Sequence, residues 1–574
     1  MTLSKTLISL ALVAASTPVL AAPAEPGTHK PSWAPQLGPN AKARYQEIFS
    51  AIKAGSWADA QAKLDAMPEG PLHIVARAEL YLAKGSPRVE GAALAALAEK
   101  APELPQSRTL AALAEARGVA AMPAFPSQQE LYWLGTAPRR GKAAGSEARG
   151  LALAGRIIPL LKNDQPNEAE AVFDASSGAL EAETKTEWQH RIAWSYFLTG
   201  DEVAARRLAT VAATGSGEFA AQADWVAGLA AWRLKDFEAA SISFGNAAKR
   251  LTDAEMIAAA HFWGGRADMA AGHPERVDAK MKSAARQAET FYGLLALDRM
   301  GIKAKPIEYG DVASVEKLPN VRAALALSEI GELDLADQLI RHQARIGRVQ
   351  DHATLANIAG RMDLPSTQLY LAQNGPSGAT ASVSARYPNP RGWKPEGGWR
   401  VDRSLVFAHA LQESRFRTNV TSPAGARGLM QVMPGTAAMI ARSKGVELGS
   451  LANPVVNLEY GQTYIEKVRD MSETGGFLPK VIAAYNAGPT PVGNWNARVR
   501  DNGDPLLYIE SIPYWETRAY VTTVMRNYWM YQIGANEKTN SMTALSQGMW
   551  PRFPGLPGAT AVRLDRVSGV QSAE

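Results

Sequence analysis

From residue 41 to residue 374 the chain is written almost wholly in helix-forming residues. Ala, Leu, Glu, Lys, Arg and Gln fill the segments, and Gly, Asp or Pro interrupts them roughly every 12–20 residues. The segments resemble one another. Trp194-Ser195-Tyr196-Phe197-Leu198-Thr199-Gly200-Asp201 leads into Ala204-Ala205-Arg206-Arg207-Leu208. Trp232-Arg233-Leu234-Lys235-Asp236 leads into Ala239-Ala240, and Asp201 and Asp236 stand 35 positions apart. The turns at Gly55, Gly272 and Gly331 repeat the theme. Each unit reads as helix, tight turn, helix. A single pair of amphipathic helices cannot bury its apolar face, so neighbouring pairs must stack. The expected architecture is all-α, with a helical-pair superhelix over most of the chain. An ordinary helical bundle is the competing reading of repeats this degenerate.

The period is loosely that of a tetratricopeptide-like solenoid. It ends where prolines and glycines crowd together, at Arg386-Tyr387-Pro388-Asn389-Pro390-Arg391-Gly392 and Pro395-Glu396-Gly397-Gly398. Such spacing forbids a continuous helix and marks a domain boundary. A second helical region follows, and a Pro-, Gly- and Ser-rich stretch closes the sequence. The expected division is therefore a signal peptide at 1–22, a superhelical domain at 23–385, a second domain at 386–540 and an irregular tail at 541–574.

The signal-peptide reading rests on three regions in order. Lys5 supplies a positive charge, Leu7 to Leu20 is apolar but too short for a confident membrane span, and the small residues Ala21 and Ala22 precede Pro23. Secretion is the expected route, with no stable membrane anchor. The chain has no cysteine, which removes disulfides, thiol nucleophiles, thiolate metal sites and the lipidated cysteine of a bacterial lipoprotein. Its net charge of +5 comes from 61 basic and 56 acidic residues, without a dense basic run, so nucleic acid is not an expected partner. The eight histidines show no zinc spacing, and no metal site is expected. Gly135 to Ala143 has one residue too many between its glycines for a phosphate loop and reads as a surface loop. The fourteen tryptophans suit helix packing or sugar stacking equally well.

The chemistry-bearing block opens at Ser404. Leu405, Val406, Ala408, Ala410 and Leu411 make an apolar helix, and Glu413 projects from the face that carries Val406 and Ala410. Desolvation would hold such a carboxyl neutral and make it a proton donor. A solvated glutamate at a helix end is the bland reading of this segment by itself. His409, four residues earlier, can reach the same face, with a structural role as its simpler reading. Further on, Gly425-Ala426-Arg427-Gly428-Leu429-Met430-Gln431-Val432-Met433-Pro434 reads as a glycine turn feeding a helix. Ala484-Tyr485-Asn486-Ala487-Gly488 ends another helix, and Glu516 and Tyr520 share a helical face.

In this order, Gln412-Glu413-Ser414-Arg415-Phe416, Gly428-Leu429-Met430-Gln431-Val432-Met433-Pro434, Ala484-Tyr485-Asn486-Ala487-Gly488 and Glu516-Thr517-Arg518-Ala519-Tyr520-Val521 resemble the catalytic domain of the soluble lytic murein transglycosylases, which looks like goose-type lysozyme. A secreted Ala-rich superhelix before that domain, with Thr290-Phe291-Tyr292-Gly293-Leu294-Leu295-Ala296, is similar to the layout of the large soluble members. The resemblance implies non-hydrolytic cleavage of the β-1,4 bond between N-acetylmuramic acid and N-acetylglucosamine in peptidoglycan, leaving 1,6-anhydro ends. It implies Glu413 as the single catalytic acid and base. Ser414, Gln431, Met433, Tyr485, Asn486, Glu516 and Tyr520 would serve substrate binding, with Tyr520 as the least secure of them and a packing residue by preference. No cofactor is implied. Partners would be glycan strands, with other cell-wall enzymes as further candidates. No acidic residue lies between Glu413 and Glu447, although folding can bring Glu459 or Glu516 close. Two other readings stay open: a hydrolytic muramidase on the same fold, and a superhelical scaffold whose lysozyme-like domain only binds glycan.

Overall fold

A computed structural model describes residues 34–121, 123–134, 148–304, 314–380 and 383–564. The expected signal peptide, the glycine loop from Gly135 to Ala143 and the last ten residues of the tail lie outside these ranges. The described residues hold 26 α-helices and four strands of two residues each, so the fold is all-α as expected. Among them, no helix is long and apolar enough to cross a membrane.

The repeated turn signals of the superhelix are its caps. Asp201 accepts from Ala204 N at 2.9 Å and opens the helix Glu202–Ala213. Asp236 does the same for Phe237–Arg250, and Asp253 for Ala254–Ala271. An aspartate at this position satisfies a backbone N–H that has no partner inside the helix, worth about 1 kcal/mol. Gly200, Gly272 and Gly331 end helices in the left-handed conformation. The repeats stack through tryptophans: Trp225, Trp232 and Trp263 meet edge to face with Phe237 and Phe244 beside them. Helix packing accounts for these three rings.

Stacking is not purely between neighbours. Tyr45, Phe49, Leu64 and Leu72 near the start share one core with Val321, Leu325, Leu339 and Ile358. The short strand Tyr132–Trp133 pairs antiparallel with Asn374–Gly375. A sequence period reports only nearest-neighbour contacts, and these returns have no period. A second core runs from Leu153 through Leu297 and continues without a break into residues 387–553.

The stretch between the helical regions is irregular apart from the single 3₁₀ turn Ser384–Arg386. It is fastened down nevertheless: Tyr531 donates to Pro388 O at 2.9 Å, and Tyr387 packs edge-on against Tyr531. The expected irregular tail differs from what is observed. Asn540–Ser546 is a helix and Trp550–Pro551 pairs with Ala561–Val562. Trp550 and Phe553 are buried, and Thr543 and Ser546 both donate to Asp298 of the superhelix. Two large aromatics and an ordered acceptor outweigh a composition that favours disorder.

Candidate active site

Asp402 opens the helix Arg403–Ser414 by accepting from Ser404 N at 2.8 Å. Leu405, Val406, Ala408 and Ala410 are fully buried, so the helix is clamped on several sides and Glu413 emerges in its last turn. Arg415 and Phe416, directly after it, both take positive φ, at 53° and 60°. Two such residues in succession are strained, and the chain tolerates them only where surrounding packing dictates the path. Here Phe416 is buried against Phe407 and Trp393.

Glu413 keeps an edge open to solvent, but its carboxyl is crowded. Burial pushes its pKa up to about 7, against a lowering contribution from the Tyr520 hydrogen bond and with a further push from the Glu516 charge. The Tyr520 hydroxyl donates to Glu413 Oε1 at 2.5 Å. The Tyr520 hydroxyl oxygen also lies 2.9 Å from His409 Nδ1. The His409 ring sits 4.6 Å from that of Tyr485 and 5.8 Å from that of Tyr520, between centroids. Tyr485 in turn donates to Met430 O at 2.8 Å, which joins the helix Leu478–Ala487 to the glycine turn.

That turn is held by a residue that motif reading passed over. Asn457 is fully buried; its Oδ1 accepts from Met430 N at 2.7 Å and its Nδ2 donates to Arg427 O and Leu451 O. Gly428 has φ +74°, and a Cβ there would stand 2.1 Å from Leu451 O, so only glycine fits. The sole local signal was Asn453-Pro454, which caps the helix Pro454–Arg469 carrying Asn457.

The other expected site residues divide. Asn486 accepts from Thr517 at 2.6 Å through its carbonyl oxygen, next to Glu516 at the start of the helix Trp515–Gly534. Met433 is 44% exposed at the lip of the helix Pro434–Lys444. Gln431, at φ 49°, turns its amide back onto Gly428 O and Val420 O and so stiffens the turn. Ser414 is buried, with its hydroxyl donating to Ala410 O. Its hydroxyl is thus committed to its own helix. Tyr520, expected to pack, is buried and also touches Glu413 directly.

Of the two carboxylates that folding could have brought in, Glu459 is locked between Arg400 and Lys444, and hydrogen bonds from Lys444 and Gln462 help hold its pKa near 2 against its burial. Glu516 is exposed and acts on Glu413 through its charge. Among the described residues no cluster of His, Asp or Glu could hold a metal ion. A cavity of about 1370 Å³ is lined by Trp194, Phe219 and Trp225 of the superhelix and by Trp515 and Arg518, whose guanidinium stacks over Trp194. It reaches the Glu413 helix at Leu411, Gln412 and Arg415.

The candidate site is thus a mostly enclosed carboxyl hydrogen-bonded to Tyr520, in a helical region that shares a core with the superhelix. Residues 394–507 match the family model described as Transglycosylase SLT domain. Over 155 residues the chain is 34% identical to the soluble lytic murein transglycosylase of Escherichia coli (strain K12), an alignment covering 26% of this chain and 24% of that relative. The fold likeness is broader. The crystal structure of the 70 kDa soluble lytic transglycosylase from Escherichia coli aligns with a TM-score of 0.54 at 18% identity, over 89% of this chain and 99% of that one. An inactive glutamate-to-glutamine mutant of lytic transglycosylase Slt from Pseudomonas aeruginosa aligns with a TM-score of 0.52 at 20% identity, over 87% of each chain.

Proposed function

We propose that the chain is a periplasmic peptidoglycan lytic transglycosylase in which Glu413 acts first as acid and then as base. The observation that carries this reading is one carboxyl with a pKa near 7, hydrogen-bonded to Tyr520, while Glu459 is locked between Arg400 and Lys444. A protonated Glu413 gives its proton to the oxygen of the β-1,4 bond between N-acetylmuramic acid and N-acetylglucosamine, the muramoyl C1–O bond breaks, and N-acetylglucosamine leaves with that oxygen as its 4-hydroxyl. The resulting carboxylate takes the proton of the muramoyl C6 hydroxyl, whose oxygen closes onto C1 and forms the 1,6-anhydro ring. Glu413 ends protonated and no water is consumed. Hydrolases of this substrate class usually need a second carboxylate at a set distance.

In this reading Asn486, with its carbonyl held by Thr517, offers its NH₂ to a sugar carbonyl or hydroxyl. Met433 gives an apolar contact at the groove lip, and Gln431 keeps the turn rigid behind it. Burial keeps Glu413 protonated, and the Glu516 charge adds to that effect. The superhelix and its aromatic cavity wall guide the glycan strand toward the groove. The test is a digest of purified murein analysed by mass spectrometry. Anhydro-muropeptides are expected. Products heavier by one water would overturn this reading in favour of a muramidase, and no products would favour a binding scaffold.

A further inference from the structure

The Tyr520 hydroxyl has one hydrogen and two neighbours that can use it, Glu413 Oε1 at 2.5 Å and His409 Nδ1 at 2.9 Å. His409 is 0% exposed, and its other nitrogen, Nε2, has no polar partner among the described residues. Two hydrogen arrangements are open. In the first, Nδ1–H donates to the Tyr520 oxygen, and Tyr520 donates to Glu413. In the second, Nδ1 accepts from Tyr520, and the Tyr520 oxygen can only accept from a protonated Glu413. Both leave Nε2 unpaired, so His409 itself does not choose. Glu413 does. The second arrangement turns a lone pair toward the carboxylate once Glu413 ionises, whereas the first gives it a charge-assisted donor. The first arrangement serves both states of the carboxyl.

We infer that His409 is a positioning residue whose Nδ1–H fixes the Tyr520 hydroxyl as a permanent donor to Glu413, and so eases the ionised state through which Glu413 must pass between its acid and base steps. The inference rests on the acid-then-base reading of Glu413. Donation into a hydroxyl strengthens the bond that hydroxyl donates onward. Burial supports the role by holding the ring neutral, with its pKa lowered to about 3, so that no imidazolium charge competes. The other groups facing the carboxyl do not substitute for this chain. Tyr485 is spent on Met430 O, and Glu516 carries charge of the wrong sign. No bond to carbon is made or broken at His409; only hydrogen-bond direction is set.

A purely structural histidine and a positioning histidine are told apart by two substitutions with opposite strengths. His409→Phe keeps a ring against Tyr485 but has no N–H. His409→Asn loses the ring but places an amide NH₂ near the position of Nδ1. The full-length protein carries each substitution, with folding checked by thermal melting. Glu413 is titrated in ¹³C-glutamate-labelled protein by NMR, its signal assigned by its loss in Glu413→Gln, and kcat and KM are measured on murein. With His409→Phe, the Glu413 midpoint is expected to rise by about one pH unit and kcat to fall about tenfold with KM nearly unchanged. With His409→Asn, both should return to within about threefold of the unmodified protein. A Phe variant with unchanged titration and kcat overturns the inference, as does a folded Asn variant that titrates and turns over like the Phe one. If the Asn variant does not fold, the Phe titration alone decides. The titration needs no substrate, so a protein that leaves murein intact would sink the proposed function without touching this test.

Discussion

Among the described residues, two glutamates each accept a 2.5 Å hydrogen bond from a buried tyrosine, Glu413 from Tyr520 and Glu510 from Tyr292. Both carboxyls are pushed upward in pKa by burial. Their surroundings separate them. Glu510 is only 7% exposed, Tyr292 receives Trp263 Nε1–H at 2.9 Å, and Arg518 contributes positive charge nearby. That pair ties the superhelix to the domain behind it, and both residues lie in the wall of the large cavity with little of either side chain exposed. Glu413 has the same partner chemistry but one open edge, a negative neighbour in Glu516 and strained backbone after it. A perturbed carboxyl therefore marks a reactive group only when a substrate can reach it.

Glutamine substitution should divide the pair most sharply. Glu413→Gln is expected to lower murein cleavage roughly 10²–10⁴-fold, whereas Glu510→Gln, in folded protein, should leave the rate within about threefold. Muropeptide release measures both, and equal losses would erase the distinction.

The next largest effect is on stability. Glu413 titrates near 7 in the folded chain and near 4.5 when exposed. The folded state thus binds the proton more tightly, and the stability tied to that proton is complete below pH 4.5 and lost as pH rises through 7. Glu413→Gln should consequently gain up to about 3 kcal/mol relative to the unmodified chain on moving from pH 4 to pH 8, read by urea unfolding at both. The same titration limits kcat/KM, which should decline above pH 7 as the acid form disappears.

Removing the donors sharpens the contrast further. Tyr292→Phe leaves Glu510 enclosed without its phenol and should cost about 1–3 kcal/mol of stability, at little cost in rate. Tyr520→Phe should have the smallest effect on unfolding, since solvent reaches the open edge of Glu413, and should slow cleavage about tenfold. Paired melting and rate measurements check both. A Tyr292→Phe variant that lost rate but not stability would reverse the assignment.

Much of this was legible in the chain itself. Asp201 and Asp236 announced helix starts because a capping side chain acts within three residues of its target. Glu413 was legible from an apolar stripe and the ordered motifs around it. What stayed hidden acts across space. Tyr520 was paired with Glu516 by helical spacing, but its functional neighbours are Glu413 and His409, on another helix more than a hundred residues earlier. Asn457 belongs to no motif, and only the fold brings the backbone of the glycine turn to it. Ser414 sits next to Glu413 in sequence, yet its hydroxyl is spent on its own helix.

The shared core of the first and the last superhelical helices bears on how this chain comes into being. Gln36 N donates to Glu329, 293 positions further on, and Lys53 pairs with Glu332. A chain that emerges from its amino end cannot bury Tyr45 or Phe49 against their partners until most of the superhelix has followed. Contacts of such long reach form slowly. The early helices therefore wait as an open, apolar-faced segment until the rest of the superhelix has followed.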